Sequence, residues 1–384
     1  MINLELPKKL VNIQKMTHQM ASSMFRPISR KYDTAEHAVP TELDAFGKMM
    51  GQGGMGGLGG GGSSSKDKKD EGVKNGGNMM GIVAAIEMMW GDAGLSMAIP
   101  GQGLGNAAIS AVATPEQMEI FGKKWAAMAI TEPGTGSDSA NIQTTARLDG
   151  DEWVINGEKI FISDGGRCEV IVVWATLDKA KGKAAIKSFV VPKDVPGVNL
   201  VRLEKKMGLR VSDTAAITFD NVRIPKDHIL GSAEIDTKKG FGGVMQSFDN
   251  TRPAVGAMAV GVGRAALDMT RELYAKEEVV PAYDRTTFNA SALEAELYRM
   301  EADLEAARLL CLKAAWMADN GQPNSKEASM AKAKAGRVGN YITLRCVELC
   351  HAIGYSHDVL LEKFARDSKI LDIFEGTQQI QQLI

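Results

Sequence analysis

The feature that most limits how this chain can fold is a double switch of residue periodicity along its length. Residues 5–32 and 73–112 carry Met, Ala, Leu and Ile at mixed three-and-four spacing, as helices with one buried face do. From about 121 to 232 the pattern becomes short runs rich in β-branched residues, punctuated by Pro192, Pro196 and Pro225. Within 147–163, the dipeptides Asp149-Gly150 and Asn156-Gly157 read as turns among the alternating apolar positions Trp153, Ile155, Ile160 and Ile162. Val170–Trp174, Ser188–Val191 and Ala216–Phe219 read as further strands. Beyond Gly240 helical spacing returns. Leu293, Leu297, Met300, Leu304, Ala307, Cys311 and Ala314 form a 4-3-4-3-4-3 seam, which Asn320-Gly321 ends and Pro323 keeps from resuming. The expected fold is α+β. It has an N-terminal helical domain (1–120), a middle β-domain (121–236) and a C-terminal four-helix bundle (237–384).

Glycine is concentrated in Gly51–Gly62 (GQGGMGGLGGGG), followed by a Ser- and Lys/Asp-rich stretch. With so little apolar side chain, residues 51–72 are expected to form a flexible surface loop. The tract contains literal GxGxxG matches, but no strand precedes it and no helix follows, so it is not a dinucleotide fingerprint. Acidic and basic residues nearly cancel, 47 against 45, which argues against nucleic acid or an anionic membrane as partner. No apolar run reaches membrane-spanning length, and the N-terminus lacks the pattern of a secretory leader. Four cysteines in 384 residues make no disulfide framework, so a reduced, cytoplasmic protein is expected. Cys346, Cys350 and His351 share a helical spacing but lack the further ligands a zinc site needs; core cysteines are the expectation, with no metal. His18, His37, His228 and His357 read as surface or cap residues.

Three segments carry candidate chemistry. Thr131–Asp138 (TEPGTGSD) offers glycines that admit a ligand to the backbone, with hydroxyls beside them; alone it is also an ordinary Pro-Gly turn. Lys159–Gly166 (KIFISDGG) ends a strand with an aromatic, an aliphatic and a hydroxyl residue. In Arg366–Gln379 (RDSKILDIFEGTQQ), Glu375 lies between Ile373-Phe374 and Gly376-Thr377. A carboxylate with apolar neighbours and a glycine beside it is a general-base candidate; an isolated glutamate of this kind equally reads as a solvated helix end.

In this order and at these separations, the three segments resemble the acyl-CoA dehydrogenase family of flavoproteins. KMGLRVSDTAAITFDNVRIP (206–225), SFDNTRP (247–253) and Asp284–Phe288 extend the resemblance over nearly the whole chain from Arg26. It implies FAD as cofactor, with Met128, Ala129, Ile130, Thr131, Gly136 and Ser137 along the flavin's pyrimidine side. Phe161, Ile162 and Ser163 would cover its other edge, and Thr377 and Gln379 would approach the adenosine and phosphates. Arg285 and Phe288 would reach the FAD of a neighbouring subunit. Asp249, Arg252, Ser137, Phe374 and Gly376 would contact the acyl-CoA. The implied reaction is α,β-dehydrogenation of an acyl-CoA thioester in fatty-acid metabolism. Glu375 would remove the Cα proton while hydride leaves Cβ for the flavin N5, and electrons would pass to an electron-transferring flavoprotein. Some relatives carry the base at the position of Thr251, which cannot serve, so Glu375 is the candidate.

The chain departs from the family pattern where one subunit completes another's FAD site. Glu348 replaces a glutamine, His351-Ala352 replaces a Gly-Gly pair, and Asn289 follows Phe288 in place of glycine. The expectation is a hetero-oligomer, a tetramer of two paired subunit types, in which a homologous chain completes this chain's site. The alternative is an FAD-poor structural or regulatory subunit. An oxygen-using acyl-CoA oxidase is disfavoured, because such relatives are longer.

Overall fold

Helix starts are set by side chains that accept the free N–H groups of the first turn. In a computed structural model, which describes residues 5–47, 76–101, 103–235, 242–283 and 287–384, these caps are explicit; side chains at 242–250 and 287 fall outside the description. Asp92 opens α4 (Ala93–Met97) by accepting from Leu95 N at 2.8 Å. Thr114 and Gln117 cap α6 (Pro115–Phe121) reciprocally, with Pro115 in the first turn. Ser291 and Glu294 do the same for α8 (Ala292–Asp319). The start of α3 (Gly77–Gly91) borrows a distant cap, with Asn78 N and Met79 N donating to Asp319 at 2.8 and 3.0 Å. The Gly-rich tract lies outside the described residues.

The N-terminal helical stretch is interrupted rather than continuous. After α1 (Lys8–Met20) the backbone widens to a π turn over 21–25 and tightens to 3₁₀ over 26–28, where Pro27 lacks an N–H, before α2 (Ser29–Thr34). Beyond α3, Asp92 and the glycines Gly101 and Gly103 divide the second stretch before α5 (Leu104–Val112). His18 is no bare surface residue: its ring meets Glu87 Oε2 at 2.8 Å and packs on Trp90. Glu87 is buried and also accepts from Gln14 and Arg264, so one carboxylate ties α1 and α3 to α7 (Gly242–Lys276).

The middle of the chain forms a seven-stranded mixed sheet, ordered β1-β4-β2-β3-β7-β6 with β5 paired to β4. Its strands are β1 (Ala126–Ala129), β2 (Thr145–Asp149), β3 (Glu152–Ser163), β4 (Val170–Thr176), β5 (Ile186–Pro192), β6 (Val198–Leu203) and β7 (Thr214–Pro225). Asp149-Gly150 lies in the β2–β3 hairpin, as expected, but Asn156-Gly157 is not a turn. β3 runs straight through it with a bulge against β7, and Gly157 is required there because an added Cβ would lie 2.3 Å from Thr144 Oγ1. The register shifts change which side chains face inward, so Lys159 is buried and Ile160 is only half-buried. β6 is largely exposed and was not legible from periodicity.

The C-terminal helices are α7, α8, α9 (Ser325–Leu349), α10 (His351–Tyr355), α11 (Leu361–Ile370) and α12 (Gln378–Leu383). The α8 seam is buried as its spacing requires, from Leu297 through Met300, Leu304, Ala307 and Cys311 to Ala314. Cys346 and Cys350 are both buried, and Cys350 Sγ lies 3.8 Å from Thr270 Oγ1.

α11 joins the three parts of the molecule. Its buried Lys363 contacts Asp92 Oδ2 at 2.8 Å and also Asp367, while Asp367 Oδ1 accepts from Leu209 N at 2.7 Å. Arg366 reaches Asp33 with two bonds of 2.9 and 2.6 Å. Gly208 lies against the same helix: a Cβ there would sit 2.5 Å from the Arg366 carbonyl. Removing one member strands a buried charge, which costs about 3–5 kcal/mol. Lys363→Met, which leaves Asp92 and Asp367 without their cation, is therefore expected to lower unfolding free energy by about that much in chemical denaturation. Arg223→Ala, which breaks only exposed pairs to Asp149 and Glu152, should cost less than about 1 kcal/mol.

Candidate active site

β1 ends at Ala129, and Thr131–Asp138 follows as a loop fastened at three points. Glu132 and Thr135 exchange backbone bonds of 3.2 and 3.1 Å, and Ile160 N on β3 donates to Thr131 O at 2.9 Å. The third fastening is the buried Glu132 carboxylate. It accepts from Lys159 Nζ at 2.8 Å, Thr144 N at 2.9 Å and Gln143 N at 2.6 Å, while Lys159 also donates to Ile130 O at 3.0 Å. Burial lowers the Lys159 ammonium to about 8, against the pull of Glu132. Burial also works to raise Glu132, but its donors outweigh that and hold it below the ordinary carboxylate range. Met128 and Ile130 are half-buried against the core under this loop. Gly134, Gly136 and Ser137 are exposed. A Cβ added at either glycine would meet nothing within 4 Å, so the chain's own packing does not call for glycine at either position.

Beside this loop, the bulge in β3 between Lys159 and Ile162 turns Phe161 outward. Phe161 has φ +57° and stands 60% exposed, while Ile162 is buried and Ser163 half-buried. A bulky residue in that conformation costs roughly 1–3 kcal/mol, and such strain concentrates at ligand sites. Behind Ser163, burial raises Asp164 to about 7, with Arg167 at 3.3 Å opposing the rise and Asp213 adding to it.

The second cluster is the turn between α11 and α12. Glu375 has φ +56° and Gly376 φ +92°, and a Cβ on Gly376 would lie 2.3 Å from Gln381 Nε2. A side chain would be strained at that φ whatever the space. The peptide carbonyls on either side are held: Gln381 Nε2 donates to Glu375 O at 2.9 Å and Gly376 O at 3.2 Å. Lys332 Nζ, from α9, donates to Gly376 O at 2.6 Å. The Glu375 carboxylate accepts from Thr251 Oγ1 of α7 at 3.0 Å. Burial raises its pKa, and Thr251, Arg252 and Lys332 draw it partly back. Arg252 is buried, and Phe374 packs against the helical core. Thr377 caps α12, accepting from Ile380 N at 3.4 Å, and Gln379 is exposed.

The first two sequence segments are thus adjacent, and the third forms its own cluster on α7, α9 and α12. Phe288 stands 98% exposed, while Arg285 and the Asp249 side chain lie outside the described residues. Glu132, Lys159, Gln381 and Lys332 are missed by motif reading. The exposed backbone at Gly134 and Gly136 and the outward Phe161 ring, on segments joined by the Ile160 N to Thr131 O bond, fit a flat, partly apolar cofactor such as a flavin.

Comparison with known proteins supplies the context. The family described as acyl-CoA dehydrogenase, middle domain, matches residues 127–222, and acyl-CoA dehydrogenase, C-terminal domain, matches 238–384. The short-chain specific acyl-CoA dehydrogenase of Clostridium acetobutylicum is 30% identical over 97% of this chain and 95% of its own length. The mitochondrial short-chain specific enzyme of Bos taurus is 37% identical over 68% of this chain, but that match spans only 62% of the bovine protein. Among solved structures, butyryl-CoA dehydrogenase from Megasphaera elsdenii superposes with a TM-score of 0.85 at 28% identity, covering 100% of this chain and 98% of that one.

The loop's dependence on a buried ion pair is directly measurable. Glu132→Gln leaves the Lys159 ammonium short of its anion, so stability should fall by about 3 kcal/mol in denaturant titration. Glu132→Gln/Lys159→Met should recover a large part of that loss.

Proposed function

Because this chain belongs to the acyl-CoA dehydrogenase family, an FAD-dependent one, we propose that it catalyses α,β-dehydrogenation of an acyl-CoA thioester with Glu375 as base. The observation that carries the reading is the Glu375 carboxylate, raised by burial and oriented by Thr251 Oγ1 at 3.0 Å. A thioester α-proton is weakly acidic, so a base of raised pKa takes it more readily, provided the carboxylate stays ionised at working pH. Arg252 and Lys332 favour the ionised form and limit the rise. The left-handed backbone at 375 and 376 aims the Glu375 N–H, which in this reading polarises the thioester oxygen as enolate character develops. Bound FAD supplies the hydride acceptor. Met128, Ile130, Thr131, Gly136, Ser137, Phe161, Ile162 and Ser163 would hold it, with Thr377 and Gln379 toward its far end; Asp249, Arg252, Phe374 and Gly376 would hold the acyl-CoA. An electron-transferring flavoprotein is the proposed acceptor of the electrons.

We infer further that the working form is a hetero-oligomer, a tetramer of two paired subunit types. Glu348 is exposed and paired with Arg345, and His351, where the family pattern has glycine, has φ +51°. A carboxylate and two side chains in place of Gln and Gly-Gly make this face a poor host for a partner's diphosphate. The exposed Phe288 is available to reach a neighbouring chain. The same residues favour the second reading, a subunit that keeps the fold and holds little FAD.

Glu375→Gln is expected to retain FAD and lose bleaching of the yellow colour by acyl-CoA; normal bleaching would remove Glu375 as base. In the wild type, the acid limb of the bleaching rate should lie above the ordinary carboxylate range, because the folded pKa is raised. Native mass and absorbance of the chain alone, against the chain co-expressed with a homologue, test the assembly. One FAD per subunit in a stable homo-oligomer would overturn the hetero-oligomer, and a colourless protein in both preparations would favour the second reading.

A further inference from the structure

The buried amine beneath the Glu375 turn has no role in the reading above beyond its charge. Lys332 is 0% exposed, in the N-terminal third of α9. It follows Ala331 on a face of small buried residues that includes Ala328, Ala335 and Gly339. Nothing about helix packing calls for an ammonium there, and burying one is costly unless it meets acceptors. Its Nζ meets Gly376 O at 2.6 Å. Around it stand Asp372 and Glu375 from the turn and Arg252 from α7. Asp372 Oδ1, Gln378 Nε2 and Gln381 Oε1, all from the turn and α12, are buried without a hydrogen-bond partner, which leaves the floor of the turn polar and held by few direct bonds.

Two donors from different helices therefore converge on one carbonyl, Lys332 from α9 and Gln381 from α12. That carbonyl belongs to Gly376, which with Glu375 makes the left-handed pair. The conformation is one that most side chains avoid, so it persists only when its surroundings fix it. A charge-assisted bond is about twice as strong as a neutral one, and the Lys332 bond is also the shorter of the two.

We propose that Lys332 is a positioning residue: its ammonium, bonded to Gly376 O, locks the left-handed turn that presents Glu375. Among the described residues, the groups facing Glu375 are Thr251 and Arg252 from α7 and Lys332 from α9, and those facing Lys332 are Asp372, Glu375 and Arg252. Among the described residues Arg252 and Lys332 are the cations that lower the carboxyl pKa, so removing the lysine works to raise it. The catalytic consequence rests on Glu375 being the base, whereas the structural lock does not.

The test uses the full chain with its co-purified FAD. Lys332→Met keeps the length and apolar stem without the charge, and Lys332→Arg keeps the charge. The Glu375 carboxyl ¹³C resonance, assigned by its loss in Glu375→Gln, should titrate higher in Lys332→Met than in the wild type. In Lys332→Arg it should titrate as in the wild type. Amide exchange over 373–378 should speed up at least tenfold in Lys332→Met, with α7 unchanged, and bleaching by acyl-CoA should slow at least tenfold. A Lys332→Met protein with wild-type carboxyl titration and turn exchange would overturn the proposal. If that variant does not fold, Lys332→Arg decides: a carboxyl titration displaced by half a unit or more would overturn it. Should Glu375→Gln still bleach normally, the base assignment falls, while the titration and exchange results judge the lock separately.

Discussion

A lysine ammonium taken out of water must be given oxygen partners, and this protein places three such lysines at its three joints. Lys159 fastens the loop after β1 to β3, Lys332 holds the turn before α12, and Lys363 draws the N-terminal helices and the β-part onto α11. All three are 3% exposed or less. A hydrophobic contact in these places would tolerate sliding, since dispersion has little direction. A buried ammonium bonded to carboxylate or carbonyl oxygens does not, because a displaced partner leaves an unsolvated charge. The buried lysines act as locating pins for segments that would otherwise be ordinary loops.

Both candidate clusters pair such a pin with backbone strain. Phe161 and Glu375 have φ near +57° and +56°, and each follows or precedes a segment held by a buried lysine. The strain directs a ring and a carboxylate to positions that relaxed strand or helix geometry would not offer. The cost is met by packing elsewhere in the chain, chiefly the helical core around α7, α8 and α9.

Much of this was legible in the sequence. The order of helices, strands and helices followed from periodicity, and the α8 seam was readable residue by residue. TEPGTGSD stood out through its glycines, and Glu375 through its neighbours. The anchors did not. Glu132 and Lys159 are 27 residues apart, and β3 alternation pointed to Ile160 as inward because nothing in the local pattern announces a bulge. Asn156-Gly157 carries the chemistry of a turn and was overridden by pairing with β7 and by Thr144 pressing on Gly157. Lys332 left a weak trace, a charge interrupting the small-residue stripe Ala328–Ala331–Ala335–Gly339. β6, mostly exposed, lacks the alternation that marks a half-buried strand.

The contact of Gly208 with the backbone of α11 bears on how the molecule comes apart. Leu209 N is satisfied by Asp367, and Asp367 shares Lys363 with Asp92, so three stretches of chain far apart in sequence hold one another's polar groups. A fragment ending after β7 would have to bring Leu209 N to water and leave Asp92 without its cation. The three sequence segments are therefore not independent folding units. Their shared buried polar groups couple their unfolding, so limited proteolysis of the native protein is expected to release no stable middle piece.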